Sequence, residues 1–129
     1  MLKAILGVIA GLVAFVAVAT IGGVILRLSW PAYASVATAM TFTLPMLITR
    51  LSIGAVATLS AGLVTALIAR RSIGAALTTG AILLLGFVPQ HIHIWAKFPA
   101  WYHLTFLLSL LPLTYLGGRA AGHLGRWRR

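Results

Sequence analysis

Ten positive charges and no negative ones leave five long uncharged intervals in this sequence, and those intervals limit what the chain can become. They cover 4–26, 28–49, 51–69, 72–96 and 98–118, with lengths of 23, 22, 19, 25 and 21 residues. A helix needs roughly 20 apolar residues to cross the hydrocarbon core of a bilayer, so every interval is long enough. The chain is 61% hydrophobic, against about 45–50% in an ordinary soluble domain. The expected fold class is all-α: a polytopic membrane helical bundle, read as a single transmembrane domain over 1–129.

The same imbalance narrows the chemistry. With no Asp or Glu there is no carboxylate acid/base pair, no complete Ser-His-Asp triad and no carboxylate ligand for Mg or Ca. With no Cys there is no thiol nucleophile, disulfide or thiolate metal site. A Ser–His or Tyr–His dyad is chemically conceivable, for example Ser109 or Tyr102 with a histidine, but no spacing singles one out. The chain is therefore read as not an enzyme, and no cofactor is expected. A net charge of +10 in a soluble domain would suggest nucleic acid. Here the basic residues border apolar spans, so anionic membrane lipids are the expected partners.

The number of spans turns on 28–49, "LSWPAYASVATAMTFTLPMLIT". Four spans with the N-terminus inside put Lys3, Arg70, Arg71, Arg119, Arg126, Arg128 and Arg129 on the cytoplasmic side, and Arg27, Arg50 and Lys97 on the other. Five spans with the N-terminus outside divide the charges equally unevenly, so the positive-inside rule does not decide. Turn chemistry does: a span ending at "LITRLSIG" would have to reverse direction with no Gly, Pro, Asn or Asp before Gly54. Four transmembrane helices are expected, with five as the alternative. The spans are placed at about 4–26, 44–70, 73–88 and 100–119, with an interfacial or re-entrant segment over 31–43. Pro45 belongs near the start of the second span, where its missing N–H costs least. Arg50 is expected to snorkel outward. Ser72 is available to cap the third span, which is expected to stop at Pro89. Both termini are expected in the cytoplasm, in a bacterial inner membrane.

Membrane helices associate through close backbone approach. The sequence offers Gly7 and Gly11; Gly54, Thr58 and Gly62; Ala57, Ala61 and Thr65; and Ala76 and Gly80. These stripes suit a tight bundle or an oligomer seam.

Polar chemistry concentrates in "HIHIWAKFPAWYH", residues 91–103. His91, His93 and His103 are the candidate metal ligands, since a His-x-His pair plus a third imidazole could hold zinc or copper. The favoured reading is a hairpin reaching water. Trp95, Trp101 and Tyr102 form an aromatic belt, Lys97 snorkels, and the histidines fill in. No bound metal is expected. Trp30 and Tyr33 are read as interfacial on the same side, where Arg27, Arg50 and Lys97 could form an anion-attracting vestibule. Arg119 and Arg126, with His123, are read as a face touching lipid headgroups.

The segment "KFPAWYHLTFLLSLLPLTYLGGRAAG", 97–122, resembles the last span of small four-helix inner-membrane proteins of Gram-negative bacteria. Those carry an aromatic "FPxWYHL"-like lead-in and a "LGGRL"-like exit. "LITRLSIGAVATLSAGLVTALIARRS" is similar to their second span. The resemblance implies a four-helix architecture and no chemistry. Relatives of that kind often bear an acid late in the first helix, where this chain has Ala19 and Thr20. The leading functional expectation is a non-enzymatic accessory or scaffold subunit of a membrane assembly or homo-oligomer. The alternative is a channel or transporter for an anion, a proton or a small neutral solute.

Overall fold

A computed structural model describes residues 1–127 of the chain. In chain order the helices are α1 (Leu2–Ser29), α2 (Pro31–Val36), α3 (Leu44–Ile68), α4 (Ile73–His93) and α5 (Ala100–Trp127), with one 3-10 turn at Trp95–Lys97. All but α2 are long and apolar enough to cross a membrane, and among the described residues there is no strand. The molecule is a multi-pass membrane protein built as a helical bundle.

The five-span alternative is removed by the local structure of 28–43. Helix α1 runs on to Ser29, the chain turns, and only the six residues of α2 are helical before a turn at 37–40 and non-helical chain to Thr43. Pro45 lies in the first turn of α3, where an N–H would have no intrahelical partner in any case.

Small residues set the helix contacts. A Cβ added to Gly7 would stand 2.6 Å from the Thr65 carbonyl oxygen, and one on Gly11 would strike the Thr65 hydroxyl, so α1 lies directly on α3. Gly62 approaches the backbone of Thr114, and Gly117 that of Leu59, where α3 crosses α5. Gly80 of α4 meets the Thr114 side chain. The Thr65 and Thr79 hydroxyls share a hydrogen bond of 2.8 Å between α3 and α4. The stripes seen in the sequence are thus turned toward other helices of the same chain. The outer face of α1, with Ile9, Val13, Val16 and Ile21 exposed, is apolar and turned away from the other helices.

Two helix ends differ from expectation. Helix α4 does not stop at Pro89 but continues to His93 with the proline inside. Pro89 and Leu85, whose carbonyl loses its helical partner, both lie on the exposed side. The added turn carries His91 into the bundle, its ring stacked on Phe106 at 4.9 Å. Helix α5 likewise passes 119 and reaches Trp127. Ala121 and Gly125 of that extension are buried on the same side as Gly117 and Gly118 before it, and Gly125 lies against the Arg71 guanidinium.

Arg70 and Arg71 form the α3–α4 turn with φ of 54° and 63°, a left-handed conformation uncommon outside glycine. The Ser72 hydroxyl then caps α4 by accepting from the Ala75 N–H at 3.1 Å. The contacts of Gly7 with Ala69 and of Gly125 with Arg71 bring the start of α1, this turn and the end of α5 to one end of the bundle. The opposite end holds α2 and the α4–α5 connection.

Candidate functional site

At that second end the bundle turns a cation inward. Arg50 does not snorkel out of α3. Its Nε–H donates to Tyr102 Oη at 3.2 Å and its Nη1 to Tyr33 Oη at 2.6 Å. Its guanidinium lies over the Phe42 ring at 4.7 Å and the Phe98 ring at 5.7 Å. The reason is geometric. Helix α2 and the segment after it fold back over the end of α3, so the side chain meets aromatic faces and two phenols before it meets water. A planar, weakly hydrated guanidinium suits that setting better than an ammonium would.

Tyr33 and Tyr102, read from sequence as belt residues, are accordingly interior. They are 2% and 5% exposed. Each phenol oxygen accepts from Arg50, and among the described residues neither phenol proton has an acceptor.

The histidines also depart from the water-reaching hairpin. His103 is 0% exposed and His91 6%, with Nδ1 of one 2.7 Å from Nδ1 of the other. His103 Nε2 lies 3.1 Å from the Trp95 carbonyl oxygen, and its ring stacks on Trp95 at 4.5 Å. His93 is exposed and does not join them. The three candidate ligands are therefore not assembled. Among the described residues no group of three or more His, Cys, Asp or Glu gathers in a metal-binding arrangement.

Arg50, the two phenols and His91, but not His103, line one cavity of about 220 Å³. Arg50, Tyr33, Tyr102, His91 and Gln90 supply its polar part, and Phe15, Phe87 and Phe106 much of its apolar wall. Arg27 and Lys97 are exposed and lie outside that lining, so the three-cation vestibule reduces to Arg50 alone. Trp95 and Trp101 are exposed at the rim of this end, and Trp30 is half-buried. Arg119 and Arg126 are exposed on the far part of α5, where Arg119 donates to Tyr115 Oη at 3.0 Å. Ser109 donates to the Phe106 carbonyl at 2.7 Å and is not part of the cavity wall.

Sequence reasoning missed the Tyr33–Arg50–Tyr102 cluster because its members are 17 and 52 residues apart. One signal was available: an arginine placed two turns inside an apolar helix of a chain with no acid. Compared with protein-family models, curated proteins and solved structures, this chain matches none.

Proposed function

We propose that this is a small transport-type protein of a bacterial inner membrane, and that its cavity holds a small anion against Arg50. One observation carries this: a half-buried guanidinium heads a cavity in a chain that contains no carboxylate side chain. A guanidinium cannot shed its proton. A charge inside a membrane protein is costly unless paired, and such residues mark ligand or ion paths. Tyr33 and Tyr102 solvate the cation without neutralising it. The small-residue stripes, read from sequence as suiting a tight bundle or an oligomer seam, lie within the bundle and so lend less support to the accessory or scaffold reading that led from sequence. Of the groups considered for catalysis, Ser109 is tied to its own helix and lies outside the cavity wall, and His103 is held between His91 and the Trp95 carbonyl.

The test is titration calorimetry of the purified protein with chloride, phosphate and propionate, followed by flux of the bound species in proteoliposomes. At least one anion is expected to bind and cross. Arg50→Gln is expected to weaken binding by ~10–100-fold, the worth of hydrogen bonds to a charged group. Binding of none of the three, or equal binding by the variant, ends this proposal.

The end of the bundle carrying Lys3, Arg70, Arg71, Arg119 and Arg126 is the more basic, and we place it in the cytoplasm. Arg128 and Arg129 lie beyond the described residues. Reporter fusions after Arg126 and after Lys97 are expected to give opposite readouts. Matching readouts would refute this orientation.

A further inference from the structure

The protonation pattern of the cavity follows from a hydrogen-bond chain that starts at a backbone carbonyl. The Trp95 carbonyl oxygen can only accept, so His103 Nε2 beside it carries a proton. In a neutral ring the other nitrogen, Nδ1, then holds a lone pair. That lone pair faces His91 Nδ1 at 2.7 Å, which must be the N–H donor. His91 Nε2 is left unprotonated, an acceptor. It makes no hydrogen bond among the described residues, where no buried side-chain nitrogen or oxygen lacks a partner. The nitrogen is therefore open, and the open space that His91 lines is the Arg50 cavity.

The other fixed groups at the polar head all donate. Arg50 has five N–H groups, of which Nε–H and one on Nη1 are engaged with the phenols. Both phenol protons are also available. Gln90, at the exposed rim, can act either way. Tyr102 joins the two poles, since it accepts from Arg50 and its ring faces that of His91 at 6.3 Å. A ligand matched to this head carries an anionic oxygen pair at one point and a hydroxyl proton at another, since Arg50 and His91 line the same cavity. The aromatic walls favour a carbon body over a bare inorganic ion. The volume of about 220 Å³ lies below the roughly 300–1,000 Å³ of sites for drug-sized ligands, so the body is short.

We propose, granting that Arg50 holds an anion as above, that the cavity selects a short hydroxycarboxylate. The carboxylate sits on Arg50 with Tyr33 and Tyr102, and His91 Nε2 accepts the hydroxyl proton. A plain carboxylate of the same size satisfies the donors but leaves the His91 lone pair without a partner.

Lactate and propionate, which differ by that one hydroxyl, are the probes, used with the full chain in nanodiscs at pH 8 so that a free imidazole is neutral. Lactate is expected to bind about tenfold tighter, the worth of one well-made hydrogen bond at the upper end of its range. His91→Asn keeps an amide N–H where Nδ1 stands, to donate to His103, and places nothing at Nε2. That variant is expected to bind both acids equally, with the affinity of wild type for propionate. Equal binding by wild type, or a lactate preference that survives in His91→Asn, overturns the hydroxyl assignment while leaving the anion site standing. Failure of both acids to bind wild type overturns the hydroxycarboxylate, and failure of chloride and phosphate as well removes the anion site with it.

Discussion

Gly62→Leu is expected to abolish the folded bundle, with loss of the cooperative thermal transition of the purified protein. At this position a Cβ would stand 2.8 Å from both the carbonyl carbon and the Cα of Thr114. The obstacle is backbone of the facing helix, which no rotamer change can move. The neighbouring contact is built the same way, with a Cβ on Gly117 only 2.8 Å from the Leu63 nitrogen. Among the described residues helices α3 and α5 form the most extensive helix pair and α4 docks mainly on α5, so prising α3 from α5 divides the bundle into an α1–α3 pair and an α4–α5 pair. Overpacking a close-fitted core costs about 1–3 kcal/mol where side chains can adjust. Here they cannot, and lipid offers separated apolar helices no penalty comparable to water. Gly86→Ala is the control, because a methyl group there would find nothing within 4 Å and alanine favours helix by roughly 1 kcal/mol. An unchanged melting curve for Gly62→Leu would show that α3 and α5 do not meet at these glycines.

What was legible in advance divides along physical lines. Charge spacing located the four long helices because a bilayer imposes one length on every span. The turn argument at "LITRLSIG" removed a fifth for the same kind of reason: a reversal needs residues that can make it. Gly7, Gly11, Gly62 and Gly80 were visible as stripes, though not which helix each would meet. Gly117 and Gly118 were read as the end of the last span, and they are also where α5 meets α3 and α4.

The polar site was read poorly because solvent-seeking was assigned residue by residue. Arg50, Tyr33 and Tyr102 each prefer an interface when alone. Together they satisfy one another's hydrogen bonds, and Phe42 and Phe98 complete the enclosure. Pairing at long sequence separation leaves no periodic trace. His91 misled in a further way, since Pro89 was taken to end the helix that delivers it. A proline near a helix end removes one backbone hydrogen bond without ending the helix, and α4 continues from Pro89 to His93.

Two histidines read from sequence as fillers of a water-reaching hairpin are interior, and this decides which changes matter at this end. His93→Ala is expected to leave thermal stability unchanged, because that side chain is exposed and joins no hydrogen bond among the described residues. His103→Ala is expected to cost far more than Trp101→Ala, although tryptophan is the larger residue. Trp101 is 42% exposed and its ring meets one neighbour edge-on, Tyr102 at 6.3 Å. His103 is fully enclosed, stacked on Trp95 and set edge-on to His91 and Phe98. Its removal opens a hole among those rings, where truncating a large core side chain costs about 3–5 kcal/mol. It also leaves the His91 N–H and the Trp95 carbonyl without their partner, at roughly 1–3 kcal/mol for each group kept from water. Water entering the new hole would recover part of that sum, so about 3 kcal/mol is the expected net loss, read from reversible unfolding in mixed micelles. The variant has a second consequence that a purely structural role would not share. Without His103 nothing fixes the His91 tautomer, and any preference for lactate over propionate should disappear even where the protein remains folded. If His103→Ala unfolds at the same denaturant concentration as Trp101→Ala, the buried histidine pair does not hold this end of the bundle together.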